Sequence, residues 1–481
     1  MYFRKILVGF LFSALLMNGL AQNQITAIQQ KVEAWQSSPG LTNAGIGICI
    51  ADSQTGLEII KSAPPLSLVP ASIMKVITTA TTLEVFGPEY RFTTRLSYTG
   101  IIQNDTLFGD LQITGGGDPT LGSGYFPENN RFLEIWSEAI RRTNIRVIKG
   151  NLIVDGTIYE SQSIPDTWIW EDMGNYYGAG ASGISVFDNM YEIHLKSDIG
   201  AGKLTQLIRV TPEIPFLELK NEVMSSDQNS DQAYVFGSPM DSKRIIRGTI
   251  PKNQPDFVVK ASVPDPAVLL ASEFRNSLTL KNITITGITK FEKFRSESAI
   301  QISVIQSPPL KDIIKVTNHE SVNLFAEHLL KHLAFQKSGL GTTKNGCKFI
   351  KEFWQEKGLD MTGFYMNDGS GLSRFNSFTP QLVVNILNFM KTKSAHFATF
   401  YHSLPSPGNG TLTVFNKENF PDENLRAKSG SMTRVRCYAG YLTTISGRQL
   451  SFAIMLNNFS GTQSETGRKI EELLVQLRKL Q

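Results

Sequence analysis

The chain has 481 residues, 41% hydrophobic and 19% charged, with 47 Lys and Arg against 43 Asp and Glu. That length exceeds one ordinary core and points to about three domains in a globular, sparsely charged protein. A net charge of +4 is far from a polyanion-binding signature, which argues against a nucleic-acid partner.

Arg4 and Lys5 precede an apolar run over 6–17, and Gly19-Leu20-Ala21 offers small residues where a signal peptidase cuts. Residues 1–21 therefore read as a secretory signal cleaved after Ala21, leaving 45 basic against 43 acidic side chains, a charge of +2. The run is short for a membrane span, and no second apolar stretch of ~20 residues follows. No cysteine near the cut suggests a lipid anchor. Three cysteines (Cys49, Cys347, Cys437) are too few for a disulfide framework, though they leave room for one bridge.

Ile25, Ile28, Val32 and Trp35 recur at helical spacing, and Ile46, Ile48 and Ile50 alternate as in a strand. A turn over 52–56 returns the chain through 57–60, predicting a hairpin. A proline-punctuated loop, Ala63-Pro64-Pro65, then leads to Pro70-Ala71-Ser72-Ile73-Met74-Lys75 and a helix that closes at Phe86-Gly87-Pro88. Between 91 and 295 the texture changes. Short β-like runs are predicted at 92–98, 107–114, 151–154, 190–195, 207–210, 233–236, 244–250, 256–261 and 283–285, with helices at 130–142 and 267–278. Gly115-Gly116-Gly117-Asp118-Pro119 lacks the Gly-Lys-Ser/Thr ending of a phosphate loop and reads as a turn. From about 296 the pattern reverts to α/β. Helices are predicted at 310–316, 321–333, 343–357 and 380–392, then an antiparallel pair at 438–444 and 450–456, and a terminal helix carrying Ile470, Leu473, Leu474, Leu477 and Leu480. The N-terminal hairpin and the C-terminal pair are expected to share one sheet, with 91–295 inserted between the two halves.

Ser72 and Lys75 lie three apart, on one face of a helix. A serine hydroxyl becomes a nucleophile when a base takes its proton, and an amine of depressed pKa is such a base. Alone, Ser-x-x-Lys is common by chance and reads as a helix cap beside a solvated charge. Ser321-Val322-Asn323 adds a hydroxyl to pass a proton and a carboxamide to hold a substrate amide. Lys428-Ser429-Gly430-Ser431 adds a cation, a hydroxyl and a glycine that admits a substrate backbone. The loop Asp368-Gly369-Ser370-Gly371-Leu372-Ser373-Arg374 carries one more cation. Each has a bland reading as a cap or surface turn; their order, Ser-x-x-Lys, Ser-x-Asn, Lys-Ser-Gly, is the specific signal. His328 and His332 sit four apart without a His-Glu-x-x-His pattern or a third ligand, so no metal is expected, and no Gly-x-Ser-x-Gly elbow is present.

With these motifs the chain resembles the D-alanyl-D-alanine carboxypeptidase/endopeptidase family of low-molecular-mass, class C penicillin-binding proteins. Leu68-Val69-Pro70-Ala71-Ser72, Gly116-Gly117-Asp118-Pro119-Thr120-Leu121, the 368–374 loop, Gly408-Asn409-Gly410-Thr411-Leu412 and the Lys428 motif all carry the likeness. The gap of 249 residues between Ser72 and Ser321 suits a family that inserts domains there. Val322 and Ser429 stand where aspartate and threonine are commoner, leaving the hydrogen-bonding groups in place.

The resemblance implies an α+β fold: a β-lactamase/DD-peptidase-like α/β/α sandwich on an antiparallel sheet. This peptidase domain would be discontinuous, 22–90 and 296–481, interrupted by a mostly β insertion (91–295) of one or two subdomains. It implies a periplasmic enzyme that acts on peptidoglycan stem peptides without a cofactor and is acylated by β-lactams. Ser72 would attack, Lys75 act as base and Ser321 relay the proton to the leaving amine. Asn323, Lys428, Ser429, Gly430 and Ser431 would bind substrate, with the backbone N–H groups of Ser72 and Ser431 as oxyanion hole. Arg374 would meet a stem-peptide carboxylate, and the aromatic stretch 168–177 would reach over the cleft or else pack between domains. Competing readings are a β-lactamase, disfavoured by the long insertion, and a non-catalytic envelope scaffold, disfavoured by the complete polar set.

Overall fold

The computed structural model describes residues 22–214, 216–239, 241–294 and 298–480; the expected signal segment, 1–21, lies outside them. Two compact units divide the chain. The first takes in the chain up to Pro88, Ile314–Ser321 and everything from Ile350 on; the second takes in Glu89–Ile313 and Val322–Phe349.

In the first unit, strands β1 (Gly45–Asp52), β2 (Glu58–Ser62), β3 (Leu425–Met432), β4 (Val435–Thr443) and β5 (Gln449–Asn457) form one sheet in the order β3-β4-β5-β1-β2. Every pairing is antiparallel, and β1 runs against β5 in unbroken register from Gly45↔Asn457 to Asp52↔Leu450. The early hairpin and the late pair thus complete one sheet, as expected. The interior of β1 is buried on both faces, because side-chain size alternates along it. Ile46, Ile48 and Ile50 enter a core with Ile28, Val32 and Trp35, and with Ile470, Leu473, Leu474 and Leu477. These belong to helix α1 (22–34) with the turn after it, and to the terminal helix, α4 (Gln463–Arg478). The opposite face is small, and helix α3 (Pro380–Lys393) lies close upon it: a Cβ on Gly47 would fall 2.8 Å from the Pro380 ring. A period-2 pattern of large and small residues thereby seats helices on both sides.

Helix α2 (Met74–Phe86) is buried from Met74 through Leu83 and stops at Gly87, whose φ is 75°. Its threonines tolerate that burial because their hydroxyls bond backward to carbonyls, Thr81 to Ile77 and Thr82 to Thr78, each at 2.7 Å.

The second unit holds sheets of five, four, three and three strands among the described residues. Its core gathers Trp136 and Ile140 of the helix Phe132–Arg142 with Leu269, Leu270 and Phe274 of the helix Pro266–Thr279. Parallel pairings occur, such as Leu111–Thr114 with Leu152–Asp155. The strand Ile300–Gln306, which the sequence reading did not anticipate, closes the edge of the five-stranded sheet by pairing with Thr93–Tyr98. The helix Asn323–Ser338 belongs to this unit as well.

Candidate active site

Ser72 sits in a single 3-10 turn, Ala71–Ile73, that feeds directly into α2. Ala71 takes a φ of 48°, a conformation L-residues rarely adopt, at the point where the chain turns into the helix. Lys75, fully buried, places Nζ 3.0 Å from Ser72 Oγ and donates to the Ser370 carbonyl at 2.7 Å. Next along α2, Thr78 donates to the Gly369 carbonyl at 2.7 Å. The 368–374 loop is therefore bonded to α2 by its backbone.

That loop is shaped by Asp368, a residue the sequence reading left without a role. Its buried carboxylate accepts from the Gly371 N–H at 2.8 Å, from the Ser373 N–H and from Asn376 Nδ2 at 2.7 Å. Gly371 is required: its φ is 85°, and a Cβ there would lie 1.9 Å from the Ala71 carbonyl oxygen. Arg374 and Phe375 stand exposed beyond this turn.

β3 is the edge strand of the sheet, and its alternation puts Arg426, Lys428 and Gly430 on the side of the Ser72 turn. A Cβ on Gly430 would meet the Pro70 carbonyl oxygen at 2.6 Å and the Ser72 nitrogen at 3.0 Å, so only glycine allows this approach. Lys428 is fully buried and donates to the Ser429 carbonyl at 2.7 Å. Burial first, then the positive charges of Lys75 and Arg436, hold its pKa well below the lysine range. Ser429 is nearly buried, and Ser431 is exposed near the strand's end.

Ser321 differs from the helical position expected of it. The helix Leu310–His319 ends first, and Ser321 has a φ of 59°, between two helices rather than inside one. Asn318 fixes this end: its buried Nδ2 reaches Thr79 Oγ1 on α2 at 3.2 Å and Ser403 Oγ at 2.9 Å. Gly410, with a φ of 49°, packs against His319, where a Cβ would lie 2.5 Å from the carbonyl oxygen. The anchoring role of Asn318 depends on partners remote in sequence, Thr79 at a separation of 239 residues and Ser403 at 85.

Ser72, Lys75, Ser321, Lys428, Ser429, Gly430, Ser431 and Arg374 all fall in the first unit. Asn323 begins its helix in the second, where Nδ2 donates to the Tyr177 carbonyl at 2.8 Å. On the same helix His328 bonds the Gly117 carbonyl at 2.9 Å and Ser185 Oγ at 2.8 Å, and His332 meets Tyr90 Oη at 2.6 Å. Burial pushes the two imidazoles down to about 3 and about 4, so they are neutral packing groups at neutral pH. No cluster of His, Cys, Asp and Glu among the described residues could hold a metal, and no described helix is long and apolar enough to cross a membrane.

The geometry is thus a serine hydroxyl held against a buried lysine at a sheet edge. The fold is similar to that of the crystal structure of penicillin binding protein 4 (dacB) from Haemophilus influenzae, with a TM-score of 0.79, 21% identity, and 93% of this chain and 98% of that one covered. The same protein complexed with a novel β-lactam matches with a TM-score of 0.75, 20% identity, and coverage of 94% and 98%. By sequence, the chain is 27% identical over 453 residues to the D-alanyl-D-alanine carboxypeptidase of Actinomadura sp. (strain R39), spanning 91% of this chain and 82% of that protein. The model of the D-Ala-D-Ala carboxypeptidase 3 (S13) family matches residues 28–480. The chain belongs to that family of serine-type carboxypeptidase hydrolases.

Proposed function

We propose that the protein is an exported serine DD-peptidase that cleaves D-Ala-D-Ala ends or D-alanyl cross-links of peptidoglycan peptides through an acyl-enzyme on Ser72. The supporting observation is the 3.0 Å approach of Lys75 Nζ to Ser72 Oγ beside a second buried lysine. Two ammonium groups in so confined a space repel each other, which favours a neutral amine and hence a working base.

In this reading Lys75 takes the Ser72 hydroxyl proton as Oγ attacks the carbonyl between two D-alanines. The N–H groups of Ser72 and Ser431 receive the oxyanion. Ser321, assisted by Lys428, passes a proton to the departing amine. Asn323 holds the substrate amide, Ser429 the terminal carboxylate, and Arg374 a carboxylate of the stem. Water then releases the acyl group. A β-lactam would follow the first half of this route and stall, as a covalent inhibitor.

The peptidase domain in this reading is 22–90 with 296–481, and 91–295 is the insertion; the compact unit that holds the insertion also takes in 322–349. Residues 1–21 direct export to the periplasm and are removed. Incubation with purified muropeptides tests the activity: free D-alanine or uncrosslinked monomers should appear, and Ser72→Ala should release neither. Intact muropeptides after incubation with the unaltered enzyme would refute it.

A further inference from the structure

From the second unit alone we infer that Asn175 is a positioning residue for the substrate-binding amide of Asn323, acting through the carbonyl of Tyr177. The inference rests on the role proposed for Asn323. A terminal carboxamide presents nearly the same shape in two orientations, one with oxygen and nitrogen exchanged. Substrate recognition needs one of them. At Asn323 the Tyr177 carbonyl, 2.8 Å from Nδ2, favours one of them; the flipped amide would set two oxygens against each other at that spacing. A group that holds Tyr177 O in place therefore contributes to the donor and acceptor pattern of Asn323.

Asn175 is such a group. It is 4% exposed and bonded on every side. Nδ2 donates to the Glu171 carbonyl at 2.6 Å, and Oδ1 accepts from the Val235 N–H at 3.0 Å. Its backbone bridges Ala261, its N–H donates to the Asp172 carbonyl at 3.1 Å, and its carbonyl accepts from Gly178 at 2.9 Å. The short turn Tyr176–Gly178 is thus closed over Tyr177 and tied to two strands, Tyr234–Phe236 and Phe257–Ser262. Two glycines hold the tie close. A Cβ on Gly174 would lie 2.0 Å from the Val235 oxygen, and one on Gly178 would lie 2.1 Å from the Asp172 oxygen. Asn175 has no direct bond to Asn323 among those described; its influence runs through two residues of backbone.

A double-mutant cycle on the full-length enzyme separates positioning from mere stability. The readout is kcat/KM for D-alanine release from a D-Ala-D-Ala-terminated peptide, with the unfolding midpoint measured alongside. Asn323→Ala should lower kcat/KM by at least ~30-fold and Asn175→Ala by ~5-fold, while the double variant should match Asn323→Ala within about twofold. Asn221→Ala is the control: that side chain makes the same two kinds of bond, to Thr205 and Val223, elsewhere in the unit. It should lower stability and leave kcat/KM unchanged. If Asn175→Ala does not fold, Asn175→Asp, which keeps the acceptor for Val235, is put through the same cycle. Multiplying effects in the double variant, or an unchanged kcat/KM in the Asn175 variant, would overturn the inference while leaving Asn323 its role. An unaffected Asn323→Ala would remove that role, and the inference with it.

Discussion

Lys428 is fully buried and donates to the Ser429 carbonyl, with the charges of Lys75 and Arg436 near enough to oppose its proton. Its folded pKa lies well below the ordinary 10.5, so below that pH the unfolded chain gains a proton that the native state resists. Stability from this group therefore falls as pH drops below the unfolded pKa. Lys428→Met, similar in length and without the charge, should raise the unfolding midpoint at pH 7 while greatly slowing acylation by penicillin. Calorimetry and labelled-penicillin kinetics check the two halves; a lower midpoint would contradict the electrostatic account. Lys428 was legible from the sequence because its motif is contiguous. Asp368 was legible only as part of a loop, because its bonds to Gly371, Ser373 and Asn376 become visible when the turn is closed.

At the scale of elements, the hairpins and helix α2 were legible, since their periodicities are local and strong. The position of Ser321 was not. Apolar residues continue past it, and nothing within a few residues reveals that Asn318 ties the preceding helix to Thr79 and Ser403. Ile300–Gln306 was missed because pairing with Thr93–Tyr98, two hundred residues earlier, is what makes it a strand. Asn318→Ala should cost about 1–3 kcal/mol, the usual penalty for leaving buried partners unsatisfied. It should also lower kcat more than an equal destabilisation placed in the second unit. Denaturant unfolding and D-alanine release measure both; unchanged stability would show that the tie carries no weight.

Across the whole molecule, buried titratable groups of the second unit set a pH dependence. Burial pushes His328 and His332 down to about 3 and about 4, and pushes Asp118 up to about 6. Between pH 6.5 and 4 the unfolded chain takes up two imidazole protons that the native state refuses. The native state takes up one on Asp118, and burial raises Asp188 and Glu273 in the same direction. The histidine contributions are lost on acidification and the Asp118 contribution is gained, so the balance is a net loss of roughly 3–4 kcal/mol as an upper bound. The unfolding midpoint in denaturant should therefore fall from pH 7 to pH 4.5, and His328→Gln should reduce that fall. A flat profile would contradict it. Each compact unit is assembled from separated stretches of chain. That 322–349 would gather with the second unit was not legible, because it follows from the burial of His328, Lys331 and His332 against residues remote in sequence.

Ser72 is the proposed nucleophile, and intact-mass analysis after incubation with benzylpenicillin tests that most directly. One adduct per chain is predicted, mapped to Ser72 by peptide digestion and absent from Ser72→Ala. An unmodified protein, or an adduct that persists in Ser72→Ala, would contradict it.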